Sequence, residues 1–204
     1  MVYFQYFCLC MMDGKVIIRE ADKSDAPFVA ECVLCAVGLS NFEERPETYR
    51  FMDEICTMED TLYSYRNALI ASVDGADAGC IVAYPGDSYE EDRKRTFAEI
   101  ERKCEMPFDS ASDMETGPGE YYLDSLAVAP GYRGCGLGHL LMRAQISRGR
   151  ELGYGRFSLI VDQSHPRVST YYSELGFRKE SEIIFAGVSY DKLVLDDIVR
   201  NDRV

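Results

Sequence analysis

Apolar and polar positions divide the chain into short strands and amphipathic helices. The β-branched run Val16 to Glu20 predicts a strand. Asp22 to Asp25 follow, where Ser24 or Asp25 is placed to cap a helix with Pro27 in its first turn. That helix, Ala26 to Val37, carries Phe28, Val29, Cys32, Val33 and Ala36 on one face. A second helix is expected between Pro46 and Thr57. Ala68 to Val73 and Cys80 to Tyr84, joined by a turn over Asp74 to Gly79, predict an antiparallel hairpin. Residues 87–119 are polar and read as an insertion over one end of the sheet, with a helix around Arg93 to Cys104. Tyr121 to Val128 predicts a strand, Pro130 to Gly138 a glycine-rich loop, and His139 to Leu152 a helix with Leu137, Leu140, Leu141 and Ala144 on one face. Arg156 to Val161 reads as a buried strand and Arg167 to Leu175 as a short helix ended by Gly176. A last pair of strands runs from Phe177 through Phe185 and from Tyr190 to Leu195.

The pattern predicts an α/β fold with mixed strands in one domain, 16–204, after an extension over 1–15 that could add a strand. The chain has 204 residues, 47% of them hydrophobic, enough for one sizeable core and too many for disorder. The 22 basic and 35 acidic residues leave a net charge of −13, which argues against nucleic acid or an anionic membrane as partner. Met1 to Met12 lacks a basic flank and a small-residue cleavage site, and no stretch reaches the roughly 20 apolar residues of a membrane span. The eight cysteines are scattered. Reduced thiols and a cytoplasmic location are expected.

Candidate chemistry concentrates in Arg133-Gly134-Cys135-Gly136-Leu137-Gly138, between a strand and a helix. Free backbone amides and the helix dipole converge there on an anion, and glycine lets phosphate oxygens approach. The alternative is a turn that only tightens the connection. Gly131 and Gly136 have Walker spacing, but Leu137 and Gly138 stand where Lys and Ser or Thr are needed. A dinucleotide fingerprint fails as well, its third glycine being replaced by His139 or Leu141.

The R-x-x-G-x-G pattern of Arg133, Gly136 and Gly138 does match after Leu126-Ala127-Val128. With His165-Pro166-Arg167-Val168-Ser169-Thr170-Tyr171-Tyr172-Ser173-Glu174-Leu175-Gly176-Phe177, it resembles the GNAT superfamily of acyl-CoA-dependent N-acyltransferases. The chain departs from the family pattern at His165, Val168 and Tyr171, where Asn, Ala and Leu are usual. The resemblance implies a GNAT-like sheet, mixed but mainly antiparallel, flanked by helices. It implies acetyl-CoA as co-substrate, with its pyrophosphate on the amides of Arg133, Gly134, Cys135, Gly136, Leu137 and Gly138. Its pantetheine would lie along Leu126, Ala127 and Val128, with His165 and Ser169 as further contacts. Family members split the sheet after a bulge in that strand, so a backbone N–H near Val128 can face the thioester oxygen. Tyr172 matches the family's general acid, a phenol with a reference pKa of about 10. Asp124, four residues before Val128, matches the position of a base that acts through water, with Glu120 and Tyr122 as other candidates. Tyr122, Asp124, Leu126 and Val128 alternate onto one strand face.

Each assignment has a plainer competitor. Tyr171 and Tyr172 could simply pack their helix, and Asp124 could bond only to its surroundings. Cys32 and Cys35 form a C-x-x-C, but the other ligands of a metal site are missing, and buried packing on the first helix is the better reading, so no metal is expected. Cys135 fills a variable motif position. Glu90, Glu91, Asp92, Asp109, Asp113 and Glu115 read as a solvated acidic surface. The leading expectation is direct acetyl transfer from acetyl-CoA to a primary amine in a ternary complex, on a small-molecule or peptide acceptor. A silent acyl-CoA sensor is the alternative. The selecting regions, about 38–60 and 85–119, match no pattern; a homodimer is compatible with the chain.

Overall fold

A computed structural model describes residues 14–39, 46–104 and 113–197. The expectations for the N-terminal extension before Gly14 and for Asp109 lie outside the described residues. Along the chain run β1 (Val16–Glu20), α1 (Ala26–Ala36), α2 (Pro46–Thr57), β2 (Ala68–Val73), β3 (Ala76–Pro85), α3 (Tyr89–Cys104) and β4 (Tyr121–Val128). There follow α4 (Leu137–Glu151), β5 (Arg156–Asp162), α5 (Pro166–Glu174), β6 (Arg178–Phe185) and β7 (Val188–Asp196). The strands form one sheet in the order β1-β2-β3-β4-β5-β7-β6. Every neighbouring pair is antiparallel except β4 and β5.

Both faces of the central strands are buried, which is why β2 reads as an apolar run interrupted only by Ser72. Leu69, Ala71 and Val73 point to a core shared with Leu137, Leu141 and Met142 of α4. Ala68 and Ile70 point to a second core filled by Val29 and Val33 of α1 and by Phe51 and Ile55 of α2. Among the described residues no helix is long and apolar enough to cross a membrane.

Local chemistry shifts several expected boundaries. Asp25 does stand at the N-cap of α1 but makes no side-chain capping bond there; the capping side chain, on the turn before the helix, is that of Asp22. Its carboxylate accepts the Ser24 N–H at 2.7 Å, and its own N–H donates to Asp25 at 2.8 Å, closing a reciprocal box on a short 3₁₀ turn before α1. The hairpin turn shrinks to Asp74-Gly75, both at positive φ, and β3 begins at Ala76 rather than Cys80. Such backbone matches the twist of a two-residue hairpin. α3 starts at Tyr89, four residues before the expected Arg93, and α4 starts at Leu137 rather than His139.

The packing of α4 on the sheet depends on Gly149. A β-carbon there would sit 2.7 Å from Phe157 Cε1 and 2.8 Å from Tyr121 Cδ1. Both rings are fully buried, and Tyr121 is further held by its hydroxyl's bond to Gln145 at 3.0 Å, so neither can yield freely. Gly149→Ala gains about 1 kcal/mol of helix propensity but incurs about 1–3 kcal/mol of overpacking. A net destabilisation of up to about 2 kcal/mol is expected, read as a fall of a few degrees in Tm.

Candidate active site

The site begins where the sheet comes apart. β4 and β5 pair only at Tyr121 with Phe157 and Tyr122 with Ser158, so from Leu123 onward β4 has a partner on the β3 side alone. The pairing with β3 also slips by one residue. Val82 lies opposite Ser125 and Ala83 opposite Leu123, leaving Asp124 as the extra residue of a β-bulge. The bulge reverses the face of the strand. Tyr121 and Leu123 belong to the α4 core before it, and Leu126 and Val128 pack against that same core after it, while Tyr122 and Ala127 lie on the other side. Tyr122 therefore does not share a face with Leu126 and Val128, contrary to the simple alternation expected. One inserted residue is enough to invert the period of two.

Antiparallel alternation fixes where the backbone of β4 points. The Ala129 N–H donates to Ala78 at 2.9 Å, so Ala129 and Ala127 bond towards β3. The N–H and C=O groups of Leu126 and Val128 consequently face the gap. One of these carbonyls, on Val128, accepts Arg133 Nε at 2.9 Å, which ties the glycine loop to the strand.

At the mouth of the gap the loop enters α4 with Gly134 at φ 77° and Gly136, the N-terminal cap, at φ 81°. No side chain caps the helix, so its first amides are left to the cavity. This cavity, of about 560 Å³, is lined by Leu126, Val128, Tyr132, Arg133, Gly134, Gly136, Leu137, Gly138, His139 and Tyr171. Of the residues expected to hold a cofactor, the structure brings Leu126, Val128, Arg133, Gly134, Gly136, Leu137 and Gly138 together there. Ala127 turns its side chain to the opposite core, and the Cys135 thiol folds onto the Arg133 carbonyl at 3.7 Å. His165 is exposed at the start of α5, within 3.5 Å of Asp162, and Ser169 is half-buried; neither lines the cavity.

The two tyrosines of α5 diverge. Tyr172 stands edge-on to Tyr171 (5.1 Å between ring centroids) and to Phe177 (5.9 Å), against the α4 core. Burial, with a smaller contribution from Tyr171, pushes its phenol up to about 12, above the reference value. Tyr171 instead meets the His139 ring at 4.7 Å and reaches over Gly138 into the cavity.

Asp124 is half-buried and accepts the Tyr84 hydroxyl at 2.5 Å and the Ser125 hydroxyl at 2.6 Å. Burial raises its pKa, and the two hydroxyls moderate the rise. The other base candidates are committed elsewhere. Glu120 receives Lys192 at 2.8 Å and Arg156 at 3.2 Å together with the Ser158 hydroxyl, and Tyr122 donates to Glu115 at 2.7 Å. Glu115, grouped by its sequence with a solvated acidic surface, is instead buried, and Tyr89 also donates to it at 2.8 Å. Its place beside Asp124 had no signature in the pattern, because both of its partners come from other elements.

Burial first, then the charge of Asp124, raises the Glu115 carboxyl from 4.5 to about 7. Its native pKa lies above the unfolded value, so the stability it contributes is complete at low pH and is lost as pH rises through about 7. Each pKa unit is worth about 1.4 kcal/mol, giving a loss on the order of 3 kcal/mol. Asp124 acts in the same sense. Urea unfolding at about pH 5 and about pH 8 should show the wild type weaker at the higher pH and Glu115→Gln with a clearly flatter dependence.

A larger cavity, of about 890 Å³, lies between α1, α2 and α3, lined by Leu34, Phe51, Met52, Tyr63 and Ile100 with Arg50, Glu54 and Lys103 at hand. Burial, followed by the charge of Asp124, raises the Tyr63 phenol. Cys32 is packed in the α1 core beside Cys80, and burial raises the Cys35 thiol. Among the described residues no group of three or more His, Cys, Asp or Glu is arranged to hold a metal ion.

Comparison with known proteins agrees with this architecture. No curated protein matches the sequence. A solved structure described as an acetyltransferase is 26% identical, with a TM-score of 0.69 over 88% of this chain and 98% of its own. An N-acetyltransferase from Staphylococcus aureus Mu50 is 20% identical, with a TM-score of 0.71 over 87% and 99%. A chain of the NatC complex, solved with Gag peptide and CoA, shares the fold at 16% identity, with a TM-score of 0.51 over 89% and 98%. The model of the acetyltransferase (GNAT) family matches residues 38–177, which span both the split strand and the glycine loop. The chain belongs to that family and is an acyltransferase.

Proposed function

We propose that this protein moves an acetyl group from acetyl-CoA to a primary amine of a small molecule or peptide, by direct attack within a ternary complex. The observation that carries this reading is the gap between β4 and β5, where outward-facing backbone of Leu126 and Val128 meets the uncapped start of α4. The fit is physical: an anion-binding helix start opens onto a strand edge that lacks a partner. The CoA reported with the NatC chain supports the same choice.

Acetyl-CoA supplies the activated acyl group, and the protein supplies position and charge control. Amides of Arg133 to Gly138 hold pyrophosphate, and the edge of β4 pairs with pantetheine. The Val128 N–H stabilises negative charge on the thioester oxygen as the amine attacks. Asp124 takes the amine's proton through water, which its raised affinity for protons favours. Tyr172 donates to the departing sulfur. Its phenol, at about 12, stays neutral, so its part is a hydrogen bond to the thiolate ahead of complete proton transfer. The acceptor approaches through the cavity walled by α1, α2 and α3, whose Tyr63 feels the charge of Asp124.

Calorimetric titration with CoA, acetyl-CoA and NAD tests the cofactor, and thiol release across a panel of amines tests the reaction. CoA and acetyl-CoA should bind, NAD should not, and thiol should appear only with amine. No CoA binding would overturn the reading; CoA binding without turnover on any amine would leave a sensor in its place.

A further inference from the structure

Tyr171 occupies a position where the family pattern carries Leu, and its hydroxyl is the buried polar group of the cavity without a protein partner. A β-carbon on Gly138 would lie 3.2 Å from that oxygen, 3.8 Å from Leu126 Cδ2 and 4.0 Å from Val128 Cγ2. The hydroxyl thus sits where the first turn of α4 meets the outward edge of β4. The ring is held there by His139, edge-on at 4.7 Å, and by Tyr172 at 5.1 Å. An unpaired hydroxyl costs stability when it is shut away from water, and a Leu at this position would avoid that cost.

We infer that Tyr171 is a binding residue for the co-substrate, its hydroxyl donating to an acceptor oxygen on the pyrophosphate–pantetheine arm of CoA. This rests on the cofactor reading above. The chemistry suits the position. Burial keeps the phenol at about 12, so it is a donor at every pH at which the enzyme would be assayed. Among the described residues no protein acceptor meets the hydroxyl, so the acceptor has to come from the ligand. Tyr171 differs in this from Tyr172, whose ring packs on Phe177 and whose hydroxyl is not among the buried groups lacking a partner.

The test separates a ligand-binding hydroxyl from a structural one by sign. Tyr171→Phe and Tyr171→Leu are compared with wild type by calorimetric titration with CoA and by thermal melting without ligand. A lost hydrogen bond should raise the Kd for CoA about threefold to tenfold, while the unliganded Tm of Tyr171→Phe stays equal or rises, because no protein partner is lost. An unchanged Kd in both variants overturns the assignment, as does a drop in unliganded Tm for Tyr171→Phe. Wild type that fails to bind CoA removes the cofactor reading itself; wild type that binds while the variants bind equally removes only the role of Tyr171.

Discussion

Gly136→Glu should abolish CoA binding while leaving the fold intact. Gly136 caps α4 at φ 81°, a backbone conformation that disfavours any β-carbon by about 1–2 kcal/mol. The added carboxylate would also stand among the amides expected to meet pyrophosphate, and like unit charges near 4 Å repel by about 4 kcal/mol at an effective dielectric of 20. Together these exceed 3 kcal/mol, so affinity should fall by at least about 100-fold. Gly136→Ala carries the strain without the charge and should lose only about tenfold. Titration calorimetry reads both, and a far-UV spectrum shared with wild type ensures that the loop has changed and not the fold. Retained binding by Gly136→Glu would move the cofactor out of this loop.

The second large effect is on turnover. Tyr172→Phe removes a hydroxyl and nothing else, and the ring contacts with Tyr171 and Phe177 survive. A hydrogen bond to a developing thiolate is worth about 1.5–3 kcal/mol, so kcat should fall about 10- to 100-fold with the Kd for acetyl-CoA nearly unchanged. Since the phenol lies near 12, it does not titrate in the working range. Tyr172→Phe should therefore lower the pH profile without moving it. A normal kcat would leave the departing sulfur to another donor.

The sequence made the element order and the glycine loop legible because each depends on near neighbours. Strand period, turn residues and helix starts are local, and their errors were a few residues at ends such as Ala76 and Leu137. The resemblance implied a bulge in this strand, but its position at Asp124 was not legible, since it exists only in the register of β4 against β3, a pairing set some 40 residues away by Val82 and Ala83. Glu115 escaped for the same reason: its partners, Tyr89 and Tyr122, come from α3 and β4. The α5 motif gave two adjacent tyrosines, but consecutive helical residues point about 100° apart. Only the docking of α5 decides which of them reaches the cavity and which reaches Phe177.

The split between β4 and β5 also sets a rhythm for amide hydrogen exchange. Along one short strand, Ala127 and Ala129 are locked to β3, whereas Leu126 and Val128 present their N–H groups to an opening. Protection should therefore alternate residue by residue, slow then fast, in a segment whose side chains are all half-buried. A co-substrate lying along the edge would slow the fast amides alone and erase the alternation, so that a strand missing its neighbour reports, proton by proton, on the molecule that completes it.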